Sequence, residues 1–202
     1  KRYDNRLRQA QQTTSGEVFQ LYMNAVAQAF DPHTAYFSPR NTENFNIQMR
    51  LSLEGIGCVL RMDEEMVTVV ELVAGGPADL SQQIKAGDRI VAVAQGDSDP
   101  WLDVVGWRLD DVVERIRGQR GTVVRLKVLP GKAGAAAAEK TVRLVRDTIK
   151  LDKQAAKSEI RTFKDSGGRD LRVGVVTIPA FYSDFEAARR GVKDYRSTTR
   201  DV

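Results

Sequence analysis

Leu53-Glu54-Gly55-Ile56-Gly57-Cys58 is the stretch on which the reading of this chain turns. Two glycines flank one apolar residue directly before a segment of strand character. With no Cβ at 55 or 57, the backbone can curl until consecutive N–H groups point at one spot. Such a nest binds an anion, and a carboxylate suits it. A dinucleotide loop is excluded: the third glycine of G-x-G-x-x-G is Leu60 here, and the loop leads into a strand instead of a helix. A tight turn would also use two glycines, so the meaning of the loop rests on its surroundings.

Downstream, residues 58–62 and 66–73 are β-branched and apolar, and Asp63-Glu64-Glu65 between them predicts a hairpin. Gly75-Gly76-Pro77 ends the second strand and predicts a short helix over 77–84. Gly87-Asp88 marks a turn and 89–94 a further strand. Apolar residues at 105, 109, 112, 113 and 116 predict a helix within 101–118, with Gly118 in the C-cap region and Val112 facing the core. Val124, Leu126 and Val128 alternate with Arg125 and Lys127, as in a strand with one buried face. After a small-residue loop at 130–138, Val142 and Leu144 mark the returning strand. If the helix packs beside the strand that starts at Cys58, the groove between them exposes a strand edge. An extended peptide can add to that edge by main-chain hydrogen bonds, with its terminal carboxylate in the nest.

Upstream, Thr14 and Glu17 have the T-x-x-E spacing of a capping box, followed by Val18, Leu21, Tyr22, Ala25, Val26 and Ala29 at helical spacing. Asp31-Pro32 stops that helix. The polar segment 33–49 reads as irregular chain or a short helix. Toward the C-terminus, 160–163 reads as a strand and 165–169 as a turn. Residues 173–178 form a near-continuous β-branched run, expected of a strand buried on both faces.

Composition narrows the function. The 31 basic and 27 acidic residues leave a net charge of +4, spread along the chain without a block of like charges, so no nucleic-acid partner is expected. One cysteine and one histidine exclude an internal disulfide and any multi-cysteine or multi-histidine metal centre. No apolar run approaches the roughly 18 residues of a membrane span. Cys58 reads as a small buried hydrophobe, His33 as a turn residue and Arg50 as a surface arginine.

Four elements in order resemble a PDZ domain, and more narrowly that of bacterial C-terminal processing (tail-specific) proteases: Leu53-Glu54-Gly55-Ile56-Gly57, Val73-Ala74-Gly75-Gly76-Pro77-Ala78, Ala86-Gly87-Asp88-Arg89-Ile90, and Arg117-Gly118-x-x-Gly121-Thr122. Asp31-Pro32-His33-Thr34-Ala35-Tyr36 with Ser38-Pro39-Arg40-Asn41-Thr42 is similar to the segment before the PDZ in the long, periplasmic branch. So are Gly106-Trp107-Arg108-Leu109-Asp110-Asp111-Val112-Val113 and Ile178-Pro179-x-Phe181-Tyr182.

The resemblance implies an α+β fold. Residues 1–50 would form a helical N-terminal segment and 51–148 a circularly permuted PDZ domain, a small β-sheet or partial barrel capped by two helices. The strand at 142–145 would take the place of the first strand, and 149–202 would open the protease core. The implied peptide-binding residues are Gly55, Ile56, Gly57, Cys58, Val59, Leu60, Leu109 and Val113. The N–H groups of Ile56, Gly57 and Cys58 would take the carboxylate, and Leu60, Leu109 and Val113 would meet apolar side chains. Cys58 departs from the bulky apolar residue usual at the end of this loop. The implied partners are apolar C-terminal tails of substrate proteins, with an accessory adaptor protein as a further one. The implied location is the periplasm. No metal or organic cofactor is implied. The parent enzyme would be a serine endopeptidase with a Ser–Lys dyad beyond the PDZ, after a glycine-rich segment. None follows Pro179, so the chain is expected to be a fragment that stops short of the nucleophile, with no catalytic residue and no activity of its own. A stand-alone PDZ adaptor without protease activity is the alternative reading.

Overall fold

The computed structural model describes residues 12–131, 138–164 and 166–202; most of the 130–138 loop and Asp165 of the 165–169 turn lie outside them. The chain divides into two compact units, one of residues 52–151 and the other of 1–51 with 152–202.

Residues 52–151 are built on a sheet. Strands β1 (Ser52–Gly55), β2 (Cys58–Asp63) and β3 (Met66–Leu72) lead through helix α3 (Pro77–Ser81) to β4 (Arg89–Gln95) and the short β5 (Leu102–Asp103). Helix α4 (Leu109–Ile116) follows, then β6 (Val123–Leu129), β7 (Lys140–Val145) and β8 (Asp147–Lys150). The main sheet has the order β2-β3-β4-β6-β7, with β5 paired to β4, while β1 pairs antiparallel with β8. The alternation in β6 and β7 does what period two dictates: Val124, Leu126, Val128, Val142 and Leu144 face the core, and the intervening Arg125 and Arg143 do not. Val112 and Ile116 of α4 and Ala78 of α3 cover that face. Proline starts α3 as its first residue, after Gly76.

The long helix expected within 101–118 is shorter, because the sheet claims its first part. Leu102 and Asp103 pair with Val93 and Ala92, and the Val104 N–H donates to the Val91 carbonyl at 3.0 Å. Val104 is 1% exposed, whereas Val105, which fits the helical spacing, is 38% exposed.

The other unit contains α1 (Ser15–Phe30) and α2 (Pro39–Arg50), before the sheet unit in the chain. Both arms of the capping box form: Glu17 N–H to Thr14 Oγ1 at 3.3 Å, and Thr14 N–H to Glu17 Oε2 at 2.8 Å. After α1, the Asp31 carboxylate accepts from His33 N–H and Thr34 Oγ1, and these bonds hold its pKa below the ordinary carboxylate value. Gln20 Oε1 accepts from Ser38 N–H and Asn41 Nδ2, and Asn24 Oδ1 from Tyr36 N–H. These bonds tie the connecting segment to α1, and Pro39 then starts a full helix where the sequence left the choice open.

After residue 152 come β9 (Lys157–Lys164), β10 (Asp170–Thr177), α5 (Phe185–Arg189) and α6 (Thr198–Asp201). Strands β9 and β10 form an antiparallel hairpin. The run expected to be buried on both faces is not: Val173 is 44% and Val176 49% exposed. A two-stranded ribbon covers neither of its own faces, and no further strand joins it among the described residues. Tyr182 is buried, accepting from Ala156 N–H at 3.0 Å and donating to Asp201 Oδ2 at 2.6 Å.

Candidate peptide-binding groove

Between β1 and β2 the chain turns through Ile56 and Gly57. Gly57 has φ +77, in the left-handed region, and a Cβ there would stand 3.2 Å from Gly76 Cα and 3.3 Å from Ile149 Cδ1. The position thus demands glycine both for its backbone and for its space. The carbonyls here are engaged: Ile56 accepts from Ala78 N–H at 2.9 Å and Gly57 from Val73 N–H at 2.8 Å. The N–H groups of Ile56 and Gly57 have no acceptor among the described residues. Because Gly57 turns its carbonyl toward Val73, the alternation of an antiparallel ladder turns the N–H and C=O of Cys58 the other way, to the open edge of β2.

That edge is one wall of a groove. β2 is an end strand of the sheet, and α4 packs beside it. Cys58 and Leu60 of β2 and Leu109 of α4 are half-buried against the core, and Val113 is half-buried on α4. Val59 points outward at 45% exposure, and Val112 is fully buried. Of the eight residues singled out from the sequence, seven lie in the loop, on the edge strand or on the adjoining helix, and Gly55 ends β1 directly before the loop. Arg50 pairs with Glu43 of α2 at 2.7 Å.

Burial pushes the Cys58 thiol up to about 12. The thiolate is the reactive species, so alkylation of Cys58 by iodoacetamide at pH 8 is expected to run about a hundredfold or more slower than that of a free thiol. The rate should climb about tenfold per pH unit through pH 10. A rate near that of free cysteine at pH 8 would contradict the packing of this strand.

A residue missed from the sequence fixes the groove helix. Arg146, between β7 and β8, is 3% exposed. Its Nε donates to Ile116 C=O at 2.8 Å, and Nη1 to Thr122 Oγ1 at 2.9 Å and Val123 C=O at 3.2 Å. Nη2 donates to Gln95 Oε1 at 2.6 Å and Arg115 C=O at 3.0 Å. Arg115 and Ile116 end α4, so a buried cation closes the negative end of that helix dipole. Burial draws the arginine's pKa below its ordinary value, yet a guanidinium stays charged. The signal was present in the sequence: Arg146 has the same parity as the inward-facing Val142 and Leu144.

No group of three or more metal-ligating side chains occurs among the described residues, and no described helix is long and apolar enough to cross a membrane.

A sheet with an open edge strand, a glycine loop at its start and a helix alongside is the arrangement of a PDZ module. The PDZ domain profile matches residues 44–129, and that of the tail specific protease N-terminal domain matches residues 1–40. The tail-specific protease of Haemophilus influenzae is 42% identical over 182 residues, which are 90% of this chain and 25% of that protein. The carboxy-terminal processing protease CtpA of Bacillus subtilis is 27% identical over 149 residues, 70% of this chain and 30% of that one. The PDZ domain of the carboxy-terminal protease from Vibrio cholerae, solved in complex with peptide, is 52% identical; all of it aligns with 50% of this chain at a TM-score of 0.48. The chain belongs to the tail-specific, or C-terminal processing, protease family. It is a PDZ-containing region homologous to those proteases, in preference to a stand-alone adaptor, and it spans about a quarter of the length of the curated relatives it matches.

Proposed function

We propose that the groove between β2 and α4 binds the C-terminal tails of proteins, as the substrate-recognition region of a periplasmic serine endopeptidase. The observation that carries this reading is the pair of unengaged N–H groups at Ile56 and Gly57, beside an open strand edge and a half-buried apolar helix face. The N–H groups of Ile56, Gly57 and Cys58 receive the tail carboxylate, and Gly55 lets the chain leave β1 into the curl. The backbone of Cys58, Val59 and Leu60 offers the edge for strand addition, and Leu60, Leu109 and Val113 contact the apolar side chains of the tail. The 52% identical domain from Vibrio cholerae was solved with a peptide, which supports the same use of the groove here. In the whole protein, held tails would be presented to a Ser–Lys dyad outside this region.

The test is the binding of a fluorescent peptide with a small apolar C-terminus, against the same peptide amidated. Losing hydrogen bonds to a full charge is expected to weaken binding by about 50-fold. Equal affinity for the two peptides would sink the carboxylate nest.

A further inference from the structure

The face of the main sheet turned away from the core carries a row of cations, and one of them lacks a partner. Thr68 and Arg89 sit directly opposite each other on β3 and β4, with Arg61 of β2 beyond Thr68 and Leu129 of β6 beyond Arg89. Thr68 lies between the inward-facing Val67 and Val69, and Arg89 precedes the inward-facing Ile90, so this row looks away from α3 and α4. Arg125 and Lys127 of β6 and Arg143 of β7 occupy the same face further along. All of these cations except Arg89 are engaged. Arg61 stands 3.9 Å from Asp63, Lys127 3.6 Å from Glu139 and Arg143 2.6 Å from Asp97, and Arg125 donates to the Gly96 and Asp99 carbonyls at 2.9 and 2.6 Å. Arg89 has no acceptor among the described residues. Its Nε is shut off from solvent without a hydrogen bond, and so is the Oγ1 of Thr68, a residue only 6% exposed.

Two polar groups left unpaired side by side are costly, because each has given up water without gaining a partner. A guanidinium fork and a hydroxyl one strand apart match a carboxylate. Nε and one Nη can donate to its two oxygens, and the Thr68 hydroxyl can donate to either. The geometry points to this pair as a docking point for an Asp or Glu side chain on an acidic segment of a partner protein. Arg89 is half-buried, so its head group can lift from the sheet. The incoming carboxylate then pairs the fork, and the movement uncovers Thr68. The surroundings favour a protein chain over a polyanion. A nucleic acid or a lipid surface is held by several free charges at once, whereas every cation of this row other than Arg89 is already engaged. Val59 and Val70, outward on β2 and β3 at 45% and 44% exposure, offer apolar contact beside the docking point. The docking point is separate from the tail groove, whose helix packs on the opposite face of the sheet.

The probe is hexaglutamate, acetylated and amidated so that it has no terminal carboxylate for the nest, titrated into the whole 202-residue chain. Its binding is expected to move the Arg89 Nε–Hε resonance and to slow the exchange of that proton with water. Arg89→Met should weaken the peptide about tenfold or more, and Arg89→Lys about fivefold, since an ammonium keeps the charge but lacks the fork. Thr68→Val, which keeps the volume and removes the hydroxyl, should weaken it about threefold. Arg143→Met removes the same charge from the same face and should change the affinity by less than about twofold. The amide spectrum of Arg89→Met away from β3 and β4 should match the parent, which establishes that the variant is folded. An Arg89 resonance that hexaglutamate leaves unmoved, or equal losses for Arg89→Met and Arg143→Met, would reduce the effect to diffuse attraction and overturn the proposal. Displacement of the peptide by inorganic phosphate at equal charge concentration would also overturn it, by making this a site for small anions.

Discussion

Gly57→Ala is expected to reduce tail binding by about a hundredfold or more and to destabilise residues 52–151 by about 2–3 kcal/mol. Two costs coincide there. An alanine at φ +77 sits in the left-handed region, and its Cβ meets Gly76 Cα at 3.2 Å and Ile149 Cδ1 at 3.3 Å, neither a freely movable neighbour. Relief by rotating the peptide units on either side would turn the Ile56 and Gly57 N–H groups away from their common point. The costs can be separated on the facing segment. Gly75 has φ +75 with nothing within 4 Å of a Cβ, so Gly75→Ala carries backbone strain alone, about 1 kcal/mol. Gly76 has an ordinary φ of −75, but a Cβ would lie 3.1 Å from Val73 O and 3.3 Å from Ile56 O, so Gly76→Ala carries the contact alone. Urea unfolding of the three variants, with peptide titration of each, should rank Gly57→Ala last in both. If Gly75→Ala proved as damaging as Gly57→Ala, the close approach of the two loops would not be what holds the nest.

Arg146→Met should cost about 2 kcal/mol or more, because it removes five hydrogen bonds around the end of α4, and of their acceptors only Arg115 C=O and Val123 C=O keep another donor, Gln95 Nε2 and Gly96 N–H. Arg146→Lys should recover less than half of the loss, since one ammonium cannot span acceptors arranged for a planar fork. The control is Arg143→Met. Arg143 makes a bidentate pair with Asp97, which keeps that carboxyl below its ordinary pKa, but both side chains are exposed and removing the pair should leave the unfolding midpoint unchanged. Because α4 is one wall of the groove, Arg146→Met should also weaken the tail peptide while Arg143→Met does not. Equal midpoints for Arg146→Met and the parent would mean that water replaces the guanidinium without penalty.

What the sequence disclosed follows from how local each signal is. The alternation of Val124, Leu126 and Val128 and the capping box at Thr14 are written in neighbouring residues, and the structure repeats them. The α+β fold and the family were legible because glycines and prolines at fixed offsets, around Gly55, Gly76 and Gly87, punctuate the chain in a characteristic order. Features that depend on distant partners were not legible. Helix α2 needed the side chains of Gln20 and Asn24 to fix the segment before it. Helix α4 begins at Leu109 because β4 draws residues 102–104 into the sheet, and no local period announces that competition. The pairing of β1 with β8 joins residues nearly a hundred positions apart through polar strands. The strand β10 was judged buried from its β-branched composition, which reports what would suit a covered strand and not whether anything covers it. The loop, the edge strand and the helix beside it could be placed in advance, whereas Arg146 was passed over although it keeps the inward parity of Val142 and Leu144, because a charge at a buried position needs distant acceptors that no local pattern announces.

The four-pair ladder between β1 and β8 has a mechanical consequence. It joins Ser52 to Lys150 at its outer end and Gly55 to Asp147 at its inner end, so the sheet unit hangs from the rest of the polypeptide by a zipper. A pull applied through residues 51 and 151 loads that zipper one rung at a time, and the core bears no tension until all four rungs have parted. The next residue to feel the pull on the β1 side is Ile56. Stretching the chain would therefore part the ladder first and deform the Ile56–Gly57 loop next, before it unravelled the main sheet.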